Sequence, residues 1–419
     1  MEFSDMLPPL PLRLLRVADR AATAMGLAGA NLDSDDLMQC ALDRMQISAF
    51  RDSVFVPALR MLLDSYEGEA DLNLFGRYAA RWDVLRCLTN LLRFEAEEDR
   101  APEILRERIE CPIFITGLPR SGTTLLHALL AIDPALRAPR CWQTISPYPE
   151  GAKDDRRETV ERQLRLFQRL APDMAAMHRM AANSPQECTE ITAQIFQSLR
   201  YEMTYRVPSY QAWIDGHGHR PAYRFHKRFL QHLQHQEGGG RWILKSPDHI
   251  HALPAIESVY PHCGLVFMHR DPLRVIASAA KLTEAVRQPF TREIDKPELG
   301  IQVLGRLKEA ADTMHETAKE DRSGRIFHLH YTDFAKNPIV SIENLYRYFD
   351  LKLGNDLRRR MRAYLAAAAA PSNHYTIEEF GIDPRTLRGR FEDYLQYFAV
   401  APEAPAWRAG ENIRIPIAA

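Results

Sequence analysis

The segment 112–133, PIFITGLPRSGTTLLHALLAID, constrains the fold more than any other stretch of the chain. Its apolar run 113–116 predicts a buried strand. The glycine-bounded stretch 117–122 predicts a tight loop, and Thr123 and Thr124 open a helix. Strand, short loop and helix N-terminus in that order form a phosphate cradle, because backbone N–H groups and the positive end of the helix converge on one anion. A nucleoside-triphosphate loop would read G-x-x-x-x-G-K and then Ser or Thr. Here Thr123 stands in the lysine position, and the cation of the loop is Arg120, two residues before Gly122. The pattern predicts a phosphate site and argues against an NTPase.

Short apolar segments then alternate with helical ones. Further strands are predicted at 242–245, 265–269 and 326–331, each separated from the last by a helical crossover. That alternation implies an α/β fold, with a P-loop-like parallel β-sheet flanked by helices. Before 111 the pattern is different. DLMQCALDRMQI, SVFVPALRMLLDSYE and RYAARWDVLRCLTNLLRFEAEE place apolar residues at three- and four-residue intervals, as helices do. The chain therefore reads as a helical N-terminal extension (1–110), an α/β domain (111–400) and a C-terminal tail (401–419), with the charged run 97–100 and Pro102 at the first boundary. Residues 154–206 look mostly helical, with SPQE (184–187) as a helix N-cap. Gly238, Gly239 and Gly240 predict a turn into WILKSP, and the alanine run 366–370 predicts helix. There is no internal repeat.

Bulk properties narrow the partners. The 54 basic and 55 acidic side chains nearly cancel, so no global field favours nucleic acid or an anionic membrane. The six cysteines show no C-x-x-C pair and no metal-ligand spacing with histidine, which points to thiols in a reducing compartment. The first 20 residues, broken by prolines and arginines, do not read as a signal peptide. No apolar stretch approaches the roughly 18 residues of a spanning helix. A cytoplasmic protein without a metal is the expectation, and a homo-oligomer is compatible with it. His226, His232 and His235, set among lysine, arginine and glutamine, read as a solvated face. YEMTYRVPSYQAW (201–213) reads either as lining for an acceptor or as core.

A second element, VFMHRDPLRVIAS, places Arg270 where a strand runs out and Ser278 eight residues later on the next helix. A guanidinium and a hydroxyl there can clamp a further phosphate. A third is HYTDFAKNP, with Tyr331 ahead of an acidic residue and Asn-Pro. Together these elements resemble the sulfotransferases that use 3′-phosphoadenosine 5′-phosphosulfate (PAPS), in particular a bacterial branch with PRSGTT loops, a long helical N-terminus and segments like WILKSPDHIHAL. The resemblance runs from about residue 111 to 397. It implies that Pro119, Arg120, Ser121, Gly122, Thr123 and Thr124 hold the 5′-phosphosulfate, that Arg270 and Ser278 bind the 3′-phosphate, and that Tyr331 contacts the adenine. In TLRGRFEDYLQYF, Arg388 and Gly389 resemble the basic-glycine loop that closes over the 3′-phosphate, and a solvated charge run is the competing reading.

The implied reaction is in-line transfer of a sulfuryl group to a hydroxyl of a small-molecule or lipid-like acceptor. Charge spreads over equatorial oxygens, so the protein must position the reactants, supply a cation at the leaving group and take the acceptor proton. Arg120 would supply the cation, and Lys245, at the end of a predicted strand, a second one. The base is less determined. In several branches of the family a glutamate follows the loop helix, where this chain has Gln143 in RCWQTISPYP. The replacements are Glu187 and Glu190, whose spacing puts both on one face of a predicted helix, and His249 and His251 of PDHIH. Two other functions stay open on sequence: a P-loop nucleotide kinase or NTPase, and a nucleotide-binding protein that has lost catalysis.

Overall fold

β1 (Ile113–Gly117) occupies the centre of a five-stranded sheet that also contains β2 (Leu136–Arg137), β3 (Arg241–Lys245), β4 (Gly264–His269) and β5 (Ile326–His330). The order is β2-β3-β1-β4-β5, and every pairing is parallel. Ile115 lies opposite both Lys245 and Val266, and Gly117 lies opposite Met268. The C-terminal ends of β3, β1 and β4 therefore finish side by side. All five β1 residues are buried, as a central parallel strand covered on both faces requires.

The two faces of β1 separate by strand alternation. Ile113 and Ile115 join a core with Leu125, Leu126, Leu129 and Leu130 of the helix Thr123–Leu130, and with Ile342 and Leu345 of the helix Pro338–Tyr348. Phe114 faces the other way, with ring centroids 5.3 Å from Tyr260 and 4.9 Å from His249. The two-residue β2 is too short for an apolar run and was not foreseen from the sequence. The Arg137 guanidinium stacks on Trp242 of β3, 4.7 Å from the ring centroid.

The computed structural model describes residues 29–151, 153–171, 180–367 and 376–403, with residues 17, 19, 21, 24 and 25. The readings of 1–16 as lacking a signal peptide, of the alanines 368–370 as helix and of 404–419 as tail lie outside them. Two units divide the chain. The sheet belongs to Ile109–Ala138, Gly240–Glu284 and Asp295–Ala419, and the other unit comprises Met1–Arg108, Pro139–Gly239 and Ala285–Ile294. Among the described residues no helix is long and apolar enough to cross a membrane.

The second unit is helical, and its helices begin where the sequence supplies caps. Asp33 accepts from the N–H groups of Asp35 and Asp36 to start Ser34–Met45, and Asn73 accepts from Gly76 N–H at 2.7 Å to start Leu74–Arg100. Phe94 is a hub of its core, with Tyr148, Phe225, Phe229 and His232 packed around it. Tyr201, Tyr205 and Tyr210 are buried here too, which decides the aromatic segment in favour of core.

Two expectations are corrected in this unit. His226 and His232 are fully buried in the helix Arg220–Glu237, not on a solvated face; His235 alone of the three is partly exposed. They fall on the same helical stripe as Phe225, Phe229 and Leu233, and of the polar neighbours that suggested solvent Gln231 and Gln234 are themselves buried. SPQE is not a helix N-cap. Ser184 O accepts from Cys141 N–H, Pro185 forms an isolated antiparallel bridge with Arg140, and Gln186 N–H donates to Pro139 O, so the segment is tied to 139–141 instead of opening a helix. The helix begins only at Thr189, in Thr189–Thr192.

Candidate active site

The predicted cradle forms at the C-terminal end of β1. Gly117 has φ 143°, and a Cβ there would lie 2.3 Å from Met268 O, so the approach of β1 to β4 demands glycine. Arg120 (φ 62°) and Gly122 (φ 90°) are both left-handed, a shape that makes a concave nest of backbone N–H groups. Gly122 is also the N-cap of Thr123–Leu130, and having no side chain it leaves the helix start without a side-chain cap. Ser121 is fully buried, yet its Oγ has no hydrogen-bond partner. Such an orphaned hydroxyl costs about 1–3 kcal/mol. An anion at the helix N-terminus would satisfy it together with the backbone donors.

Side chains from three other strand ends meet this loop. Lys245, 1% exposed at the end of β3, donates from Nζ to Thr124 Oγ1 at 3.3 Å. Arg120 Nε donates to Ser278 Oγ at 3.1 Å, joining the first motif to the second. Arg270, just past β4, donates from Nη1 to Arg120 O and lies 3.7 Å above the Tyr331 ring. Tyr331 in turn packs on the loop, 3.2 Å from where a Gly122 Cβ would sit. Burial pushes its phenol up, against the lowering effect of Arg270. Residues 119–124, Lys245, Arg270, Ser278 and Tyr331 thus form one cluster, within a single unit of the fold.

Other candidates lie elsewhere. His249 is fully buried in Pro247–Ala252, edge-on to Phe114, while His251 on the same turn is half-buried. Arg388 and Gly389 are exposed on Pro384–Arg390. In the helical unit, Glu190 lies 3.4 Å from Arg200 and 3.6 Å from Arg86, inside a buried charge network that includes Asp83. Glu187 is half-buried and precedes Thr189–Thr192, so the two glutamates do not share a helix face as expected. Gln143 has a structural employment: Oε1 accepts from Arg140 N–H at 2.9 Å and Nε2 donates to Glu237 at 2.6 Å. A glutamate there would set a second carboxylate against Glu237, which accounts for the amide.

Two features escaped sequence reasoning. Glu403 takes Arg270 Nε at 2.9 Å and Nη2 at 3.0 Å. Behind Arg270, the buried His269 bonds His328 (Nε2 to Nδ1, 2.9 Å), and burial, reinforced by the neighbouring histidines, holds its pKa well below the ordinary value. A pair of residues 133 positions apart has no local signal. Among the described residues, no group of three or more histidine, cysteine, aspartate or glutamate side chains could hold a metal ion.

Comparison with known proteins agrees with this geometry. The model of the family described as "Sulfotransferase family" matches residues 112–355, more than half of the chain. The omega-hydroxy-beta-dihydromenaquinone-9 sulfotransferase Stf3 of Mycobacterium bovis is 25% identical over 301 residues, covering 65% of this chain and 71% of its own, and the Mycobacterium tuberculosis protein of that name matches equally. Among solved structures, sulfotransferase STF9 from Mycobacterium avium superposes with a TM-score of 0.80 at 26% identity, over 89% of this chain and 98% of its own. STF1 from Mycobacterium tuberculosis H37Rv gives 0.76 at 26% identity, over 86% and 98%. With its parallel sheet, its cradle and this match, the chain belongs to the sulfotransferase family.

Proposed function

We propose that the protein transfers a sulfuryl group from PAPS to a hydroxyl of a lipid-like acceptor. The observation that carries the reading is the buried Ser121 hydroxyl without a partner, set at an uncapped helix N-terminus beside Arg120, Arg270 and Lys245. The hydroxyl, the helix start, Arg120 and Lys245 are the donors a bound 5′-phosphate requires, and Arg270 stands by for a second phosphate. When bound, the nucleotide supplies a sulfuryl group on a phosphate leaving group. The N–H groups and hydroxyls of 121–124 hold that phosphate, with Pro119 shaping the loop. Arg120 stabilises the charge that develops there; because a guanidinium is not deprotonated in proteins, it does so as a fixed cation and not as an acid. Lys245 is held against Thr124, where it adds a second positive charge.

In this reading Arg270 and Ser278 take the 3′-phosphate, and Arg388 with Gly389 closes over it. Tyr331 contacts the adenine while its ring supports Arg270. Glu187 takes the acceptor proton. Glu190 is committed to Arg86 and Arg200, and His249 is packed on Phe114; Glu187 is the candidate to which this reading gives the role. The lipid-like acceptor is suggested by the relative named for a hydroxylated dihydromenaquinone. Family membership favours sulfuryl transfer over the kinase reading, and the threonine at 123 agrees.

The test is release of 3′-phosphoadenosine 5′-phosphate (PAP) from PAPS with a panel of polyprenyl, long-chain and short primary alcohols. Acceptor-dependent release that rises with chain length and falls at least 10-fold in Glu187→Gln supports the reading. Release confined to short polar alcohols would remove the lipid-like acceptor. Binding of PAP with no turnover on any alcohol would favour a lapsed enzyme.

A further inference from the structure

The end of the described chain brings a carboxylate to the face of Arg270 that a phosphate would need. Tyr394 Oη lies 3.2 Å from His269 Nδ1, and the Phe398 ring stacks on the His269 ring with centroids 4.1 Å apart. The helix Glu392–Tyr397 is thereby anchored at the end of β4. The chain then runs to Glu403, whose N–H donates to Asp271 Oδ2 at 3.0 Å. Its carboxylate engages Arg270 in two-pronged fashion, Oε1 with Nε at 2.9 Å and Oε2 with Nη2 at 3.0 Å. Arg274 faces the same group: its Nε is buried, lacks a hydrogen-bond partner and stands 4.0 Å from Glu403 Oε2.

A guanidinium fork accepts a carboxylate or a phosphate in the same parallel geometry. We propose that Glu403 is an internal competitor for the nucleotide's 3′-phosphate, holding Arg270 and Arg274 until a 3′-phosphorylated nucleotide displaces it. The inference rests on the PAPS reading above. Carboxylate and phosphate cannot share one fork, since both are anions needing the same two N–H groups. Apparent nucleotide affinity is therefore reduced by the fraction of molecules in which Glu403 is seated. On displacement the orphaned Nε of Arg274 gains an acceptor as well, so Arg274 joins Arg270 at the phosphate.

The experiment is calorimetric titration of the full chain and of Glu403→Gln with PAP and, separately, with AMP, which lacks the 3′-phosphate. Glutamine keeps the shape and removes the charge. PAP binding tightens about five-fold or more in the variant, and AMP binding is unchanged. Glu403→Ala gives the same direction, and Arg274→Ala placed in the Glu403→Gln background reverses part of the gain. PAP binding to wild type that is unchanged or weakened in both Glu403 variants overturns the inference and leaves the donor reading standing. Equal tightening of AMP also overturns it, because the effect would not pass through the 3′-phosphate. If neither wild type nor variant binds PAP, the donor reading itself fails and the inference goes with it.

Discussion

Both units of the molecule bury charged and polar groups, but they treat them in opposite ways. In the helical unit the buried charges close on one another. Asp83 pairs with Arg86 and Arg200, which also flank Glu190, while Glu98 pairs with Arg228, Arg51 and His232. In the sheet unit the cradle leaves Ser121 Oγ and the helix start without partners and gathers Arg120, Lys245 and Arg270 around them. In the first network the carboxylates Asp83, Glu190 and Glu98 each have cationic partners, even though Arg200 Nε lacks a hydrogen bond, and the pairing serves stability. In the second, a buried hydroxyl and a helix start without a side-chain cap lie among three cations, an arrangement that suits an anion. The contrast separates Glu190, which looked catalytic by spacing, from Arg120, which looks catalytic by situation.

The contrast breaks most visibly if substitutions cross over in their effects. The largest expected effect is in the closed network. Asp83→Ala leaves Arg86 and Arg200 short of a buried partner and should cost about 3–5 kcal/mol of unfolding free energy, read by urea denaturation. Arg120→Ala should leave the urea midpoint nearly unchanged and lower turnover about 10²–10³-fold, with a smaller loss of PAP affinity. Arg270→Ala should show the complementary split, weakening PAP binding about 10-fold or more through loss of a charge-assisted fork, with stability little altered. If Asp83→Ala costs only turnover, or Arg120→Ala only stability, the division of labour is wrong.

Gln143→Glu is a smaller test. It turns the donor at Glu237 into a second anion and should lower stability by about 1–3 kcal/mol without raising the rate. A gain in rate would show that the position faces the acceptor after all.

The pH dependence is expected to be gradual. Unfolded His226 binds a proton below its ordinary 6.5, whereas burial pushes the folded value down to about 3. Between those values the unfolded state holds more protons, so stability is full above 6.5 and declines as pH falls. Asp83 extends the loss. Burial works to raise it, but Arg200 and Arg86 outweigh burial and hold it at about 2, so its contribution fades between 3.8 and about 2. Melting temperatures at pH 8, 6 and 4 should fall in that order.

What the sequence made legible was local. Gly117, Arg120, Gly122 and the helix after them lie within a dozen residues, and their conformations follow from residue type and order. The four longer strands were legible for the same reason. What stayed hidden depends on contacts between distant positions. Arg140 pairs with Pro185 in an isolated bridge that replaces the apparent helix cap, and Phe94 draws His232 into the core despite its polar neighbours. Arg270 meets Glu403 only once the chain is folded. Gln143 departs from the family pattern in the sequence, but its reason, the contact with Glu237, exists only in the fold.

The most direct test of the central claim, that the unsatisfied cradle is the site of a 3′-phosphorylated donor, is a parallel calorimetric titration of wild type with PAP and with ATP and Mg²⁺. The account predicts saturable PAP binding that Arg270→Ala weakens about 10-fold or more, with ATP weak in comparison. Preference for ATP with Mg²⁺, or PAP binding indifferent to Arg270, would contradict it.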